Sequence, residues 1–211
     1  MNDRKSDGLS LVYKAGTPAE LQNAYQTWAG DYDRDTLASG YCLPFLALSW
    51  VSRYVATGAG PYLDAGCGTG LSGPFLKALG YRPLEGLDFS QDMLKLAASR
   101  GAYDALTRAT LGETLPWGDG YFSAFLATGV FTEGHAPASS LRELCRVTRA
   151  GGYGIFTVRE SIFEAHGFGT VIDDLVRTGA WALTEESTPF RAFAIDEPDV
   201  FVKTYVFNVL R

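Results

Sequence analysis

Three glycines and two acids carry the most specific chemistry in the sequence. The segment Tyr62-Leu63-Asp64-Ala65-Gly66-Cys67-Gly68-Thr69-Gly70 follows a short apolar run and opens a helical pattern. This is the strand–loop–helix context in which a glycine loop holds a ligand. Glycines at 66, 68 and 70 let the chain turn tightly and let backbone approach a ligand that a Cβ would block. The helix behind them offers unpaired N–H groups and the positive end of its dipole. A further acid, Asp88, ends the next apolar run, Leu84-Glu85-Gly86-Leu87-Asp88. It stands at about the 20-residue interval at which a carboxylate reads ribose hydroxyls. The register separates two ligand classes, because a G-x-G-x-x-G dinucleotide loop would need its third glycine at position 71. That position is Leu71, so a nicotinamide-dependent oxidoreductase is the poorer fit.

A second group follows Thr128, Gly129 and Phe131, where Glu133 and His135 come close together. The carboxyl end of a strand there would face the mouth of the site, as in open α/β sheets generally. His135 or Glu133 is then placed to contact an acceptor or take its proton; a solvated turn at Gly134-His135-Ala136-Pro137 is the competing reading. Aromatic residues precede the glycine loop. Tyr25 and Trp28 fall at core spacing and are expected to dock a helix. Tyr32 and Tyr41 fall between helical stripes and are expected to face the ligand, where aromatic faces attract a cation. His166 reads as a loop residue. Cys67, inside the glycine loop, has no partner base in view.

The elements that must position these groups alternate. Thr17 and Glu20 form a capping box with Pro18 at the first helical position, which predicts a helix ending near Gly30. A second helix is expected from about 44 to 55. Strands at 61–65, 83–88, 104–111, 121–128 and 153–158 then alternate with helices at 69–79, from Ser90, from a Ser140/Glu143 capping box, and at 168–178. Such alternation predicts a parallel sheet covered on both faces. Extended stretches at 181–194 and 201–210 add an antiparallel hairpin. The expected fold is therefore α/β: a Rossmann-like, mostly parallel seven-stranded sheet with an antiparallel strand from the C-terminal hairpin. A flexible tail over the first ten residues and a two-helix cap make up 1–58, and the Rossmann-like domain runs over 59–211.

Composition narrows the partners. Eighteen Lys and Arg against 24 Asp and Glu give a net charge of −6, without a dense basic cluster, so nucleic acid is not the expected partner. The apolar run from Tyr41 to Val51 contains Pro44 and is too short to span a bilayer, so no membrane partner is expected. The start MNDRKSDGLS lacks a signal-peptide core. Cys42, Cys67 and Cys145 form no CxxC pair, so neither a disulfide framework nor a metal site is implied. The expectation is a cytoplasmic protein with a small-molecule substrate, monomeric or weakly dimeric.

The segments LDAGCGTG (63–70), GLDFSQDML (86–94), LGETLPWGDGYFSAFLATGVF (111–131) and RAGGYGIFTV (149–158) together resemble the class I S-adenosylmethionine-dependent methyltransferases. The resemblance covers about residues 25–160. YDRD (32–35), GY (40–41), TLGETLP (110–116) and GVFTEGHAP (129–137) are similar to a small methyltransferase-like branch represented in the Williams–Beuren region. The resemblance implies S-adenosylmethionine as cofactor and methyl transfer as activity, with a non-catalytic binder of the same molecule as the alternative. It assigns Gly66, Gly68 and Gly70 to the methionine and ribose moieties, and Asp64 to bracing the loop and facing the ammonium. Asp88 takes the ribose hydroxyls, and Phe89 and Met93 flank the adenine. Many relatives carry an acid where this chain has Leu111, so the adenine amino group falls to the backbone of Leu111 and Gly112. The same set includes Ala65 and Cys67 in the loop, Thr128 at the later strand end, and Tyr32 and Tyr41 from the cap.

Overall fold

In the computed structural model, which describes residues 7–15 and 17–211, four helices come first. They are α1 (Asp7–Lys14), α2 (Pro18–Trp28), α3 (Tyr32–Ala38) and α4 (Leu43–Tyr54). The alternating part follows as β1 (Tyr62–Ala65), α5 (Gly73–Ala78), β2 (Leu84–Asp88), α6 (Gln91–Ser99), β3 (Ala105–Arg108) and β4 (Phe122–Phe131). It continues with α7 (Ser140–Val147), β5 (Thr148–Arg159), α8 (Phe168–Arg177), β6 (Trp181–Glu186), β7 (Phe190–Arg191) and β8 (Phe201–Val209).

Two predicted N-caps form. Thr17 accepts the Glu20 N–H at 3.3 Å and Ser90 accepts the Met93 N–H at 3.4 Å, each satisfying a donor that the first helical turn leaves open. The Ser140/Glu143 box does not form. Glu143 instead accepts the Leu115 N–H at 2.9 Å and pairs with Arg146 at 2.7 Å, because a cationic partner and a loop N–H compete for the same carboxylate. The tail reading also changes. Residues 1–6 lie outside the described residues, but 7–10 belong to α1, which packs Val12 against Ala24 and Trp28. Gly8 allows this approach, since a Cβ there would fall 2.1 Å from the Trp28 ring.

The sheet runs β3-β2-β1-β4-β5-β8-β6, with β7 pairing β8. Strands β1 to β5 pair in parallel, whereas β8 is antiparallel to both β5 and β6. The hairpin partners thus pair as expected, but β8 inserts between β5 and β6. Burial explains the order: Tyr205, Val206, Phe207 and Val209 of β8 are all buried, while most of β6 keeps contact with solvent. A strand apolar on both faces belongs inside the sheet.

Each face of the sheet has its own core. On one, Phe156 stacks among Phe125, Tyr205, Phe207 and Trp181, against α7 and α8. On the other, Ala47, Trp50 and Val51 of α4 join Leu76 of α5 over Leu126, Ile155 and Val206. Glu185 ties α4 to β6 by accepting from Trp50 Nε1 at 3.0 Å and from Arg53 at 2.7 Å. The two expected cap helices therefore differ in role. Helix α4 is part of the sheet's covering layer, and α2 stands with the short α1 and α3 over the carboxyl ends of the strands.

Candidate active site

Strand order reverses between β1 and β4, and the loops leaving their carboxyl ends diverge, which opens a crevice at this point in α/β sheets. Here it is a cleft of about 270 Å³ walled by the glycine loop, the ends of β2 and β4, and the cap. The register of β4 against β5 shifts between Ala127 and Phe131, and this irregularity turns Thr128–Val130 out of the ladder toward the cleft.

The glycine loop is tied to β2, with the N–H groups of Gly66 and Cys67 donating to the Leu87 carbonyl at 2.7 and 2.9 Å. Gly66 has φ +75°, and a Cβ there would lie 2.4 Å from Val130 Cγ2. Gly68 has φ +54° with nothing within 4 Å of a would-be Cβ, so its bare backbone faces open cleft. Its N–H donates to Asp88 Oδ2 at 2.9 Å, and the Ser90 N–H donates to Oδ1 at 2.8 Å. Asp88 is 6% exposed; burial pushes its carboxyl up to about 6, against the pull of those N–H groups. Asp64 accepts at Oδ2 from Ser72 at 2.5 Å and from Tyr103 at 2.7 Å, and burial pushes it upward as well. Burial, then the two nearby carboxylates, holds the Cys67 thiol well above its ordinary range, which makes it inert.

Ala65 and Gly70 do not line the cleft. Ala65 is wholly buried, and Gly70 makes room for Tyr103, whose ring would lie 2.9 Å from a Cβ at 70. Gly70 thus serves the brace on Asp64. Cys67, Phe89, Met93, Leu111 and Thr128 do line the cleft, as do Asp64, Gly66, Gly68 and Asp88. Gly112 does not; it lets Pro137 close in, to 2.7 Å from a would-be Cβ.

The cap forms the roof. Tyr32, expected in a loop, opens α3, and Tyr41 bridges to Phe193; both line the cleft. The Tyr41 hydroxyl occupies space left by Gly129, 2.1 Å from a would-be Cβ. Trp28 is buried as expected and donates to Asp35 at 3.0 Å. Tyr25 packs against the Val12, Ala24 and Trp28 cluster as expected, and it also lines the cleft, with its Oη 2.7 Å from His135 Nε2. His135 also lines the cleft, while Glu133 does not. Glu133 pairs with Arg159 at 2.7 Å and accepts from Ser161 at 2.6 Å. Asp33 of α3, unnoticed in the sequence pattern, takes the Thr69 hydroxyl at 2.5 Å and pairs with Arg100. It thereby fastens the cap to the glycine loop. His166 is exposed.

Two buried carboxylates, a bare glycine at the open side of the loop and aromatic rings overhead fit a molecule carrying ribose hydroxyls and positive charge. Among the described residues no group of three or more His, Cys, Asp or Glu could hold a metal ion, and no helix is long and apolar enough to cross a membrane. Residues 63–156 match the family described as "Methyltransferase domain". The chain belongs to the class I S-adenosylmethionine-dependent methyltransferases, and S-adenosylmethionine is its cofactor. Methyltransferase-like protein 27 of Homo sapiens is 34% identical over 172 residues, spanning 77% of this chain and 69% of that protein. A chain from the complex between the Haloferax volcanii Trm112 methyltransferase activator and a putative methyltransferase superposes with a TM-score of 0.70. It is 17% identical, with 90% of this chain and 97% of that one covered. The [4+2]-cyclase SpnF gives the same TM-score at 16% identity, with 93% and 97% covered. At such identities the likeness speaks for the fold, which hosts more than one chemistry.

Proposed function

We propose that the protein transfers the methyl group of S-adenosylmethionine to a nucleophile on a small molecule admitted beneath α2 and α3. One observation carries this reading: the ligand cleft is roofed by the chain's own aromatic helices, and its charged described lining residues are Asp64 and Asp88. A roofed cleft of about 270 Å³ suits a compact acceptor, and its negative field suits a cationic donor.

The bound donor supplies an electrophilic methyl group, and the protein's work is alignment and exclusion of water. Near-attack positioning of this kind is worth roughly 7–11 kcal/mol of barrier. In the proposed arrangement Asp88, ionised at neutral pH, would hold the ribose hydroxyls, and Asp64 would hold the ammonium. The backbone of Gly66 to Gly68 would hold the methionine and ribose. Phe89, Met93 and Leu111 enclose the adenine, with Leu111 offering backbone only. Tyr32 and Tyr41 set aromatic faces near the sulfonium, each contact being worth roughly 0.5–2 kcal/mol.

Incubation of the protein with methyl-labelled S-adenosylmethionine and a cell extract, later separated into small-molecule, protein and RNA pools, tests the reading. Label in the small-molecule pool supports it. Label confined to protein or RNA replaces the substrate class, and no transfer despite donor binding replaces the enzyme by a binder.

A further inference from the structure

The cap places a titratable pair against the cleft that the sequence pattern separates by more than half the chain. Tyr25 Oη is 2.7 Å from His135 Nε2, and the two rings meet edge-on with centroids 5.7 Å apart. The other imidazole nitrogen, Nδ1, lies 2.8 Å from the Glu133 carbonyl oxygen and 2.8 Å from Thr132 Oγ1. A carbonyl oxygen only accepts, and two lone pairs at that distance would repel, so the proton sits on Nδ1. The lone pair of the neutral ring is then on Nε2, and the Tyr25 hydroxyl donates to it. Burial lowers the His135 pKa, which keeps the ring neutral near neutrality with its Nε2 lone pair free of a proton.

The groups around the pair agree with this role. Tyr32 from α3 and Phe89 after β2 pack against the Tyr25 ring at 6.1 Å each. Glu133, the carboxylate next to the histidine in sequence, is engaged by Arg159 of β5 and by Ser161. Asp64 and Asp88 line the β1 and β2 side of the cleft. The phenol and the imidazole therefore form a connected path from cleft to ring nitrogen to backbone carbonyl.

We propose that Tyr25 and His135 act as a proton-accepting pair for the methyl acceptor, and that the acceptor is a planar molecule bearing a weakly acidic hydroxyl, phenolic or enolic. This rests on the transfer reaction proposed above. A lone pair of the acceptor oxygen forms the new C–O bond while the C–S bond breaks and its electron pair stays on sulfur. The acceptor proton passes to Tyr25 Oη as the Tyr25 proton passes to His135 Nε2. The result is a neutral tyrosine and an imidazolium whose Nδ1–H remains bonded to the Glu133 carbonyl. The net receiver is the His135 imidazole, a base of moderate strength, which suits an acceptor whose hydroxyl is acidic enough to release its proton as the C–O bond forms, as a phenol or enol is. The surrounding rings suit a flat acceptor.

Two measurements test the pair. Imidazole ¹⁵N spectra of the intact wild-type protein are expected to show His135 with its proton on Nδ1 at neutral pH; a proton on Nε2 overturns the proposal whether or not the acceptor is known. Single-turnover transfer from labelled S-adenosylmethionine into the small-molecule fraction of a cell extract is then followed against pH, with the donor fully bound at every pH so that the carboxylates of its site do not enter the profile. The wild-type rate should fall on the acid side as His135 protonates. Tyr25→Phe and His135→Asn should bind the donor normally by calorimetry, lose about 100-fold in transfer rate, and lose the acid-side dependence. Variants with wild-type rate and profile overturn the pair alone. A wild-type protein that labels no pool overturns the transfer reaction and the pair with it.

Discussion

Replacing Asp88 by alanine probes the ligand site at one of its two buried carboxylates. In the structure the carboxylate takes N–H groups from Gly68 and Ser90 at 2.9 and 2.8 Å and is pushed up to about 6 by burial. At pH 7.5 it is ionised, and hydrogen bonds from ribose hydroxyls to a charged acceptor are worth roughly 1.5–3 kcal/mol. Losing them weakens S-adenosylmethionine binding by roughly 10- to 150-fold. The sign of the pH effect follows from competition. The donor favours the ionised carboxylate, so affinity is level well above 6 and falls as pH drops through 6. Asp64, raised in the same direction, adds to that fall, and Asp88→Ala therefore removes one proton from the dependence rather than all of it. In the empty protein the raised pKa has the opposite effect, since stability contributed by protonated Asp88 is lost as pH rises from about 4 to about 6. Titration calorimetry from pH 5 to 8 reads both affinity and the release of protons on binding. An unchanged dissociation constant in the variant, or wild-type affinity that is flat through pH 6, would refute the assignment of Asp88 to the ribose.

Further outcomes follow from individual contacts. Gly66→Ala should unfold or strongly destabilise the loop, because the Cβ meets Val130 at a positive φ, whereas Gly68→Ala, in open space but also at a positive φ, should cost roughly 1–2 kcal/mol of stability yet block donor binding; thermal melts with and without S-adenosylmethionine separate the two. Asp33→Ala frees Thr69 and Arg100 from the cap and should cost about 1 kcal/mol or somewhat more, with weaker donor binding by calorimetry. Phe156→Ala removes the ring at the centre of the aromatic stack and should lower stability by roughly 3–5 kcal/mol in urea unfolding, with its midpoint shifted and its slope unchanged.

Features written in neighbouring residues were legible before the structure. The D-x-G-x-G-x-G loop, the acid ending the second strand, the N-caps at Thr17 and Ser90 and the alternation of strands and helices each depend on a few adjacent positions. What was not legible depends on partners far away in the chain. An apolar stripe on α2 looks the same whether Tyr25 docks in a core alone or roofs a cleft as well, and only the return of His135 from after β4 decides it. Tyr103, which braces Asp64 and fills the space at Gly70 and Gly73, carries no local sign of that task. The capping box at Ser140 was plausible in isolation and lost to Arg146 and Leu115. Glu133 sits two residues from His135, but Arg159 and Ser161 draw it away. The insertion of β8 between β5 and β6 could have been suspected from its unbroken apolar run, Tyr205-Val206-Phe207.

In the proposed reaction one roofed cleft holds the donor at Asp88 and passes its methyl group to a small molecule. The most direct test supplies wild-type protein and Asp88→Ala with S-adenosylmethionine bearing a deuterated methyl group, in the presence of a cell extract, and reads the small-molecule pool by mass spectrometry. A compound carrying the heavy methyl is expected with the wild-type protein, and its loss with the variant. Heavy methyl on protein or RNA alone, or on nothing while the donor still binds, would contradict it.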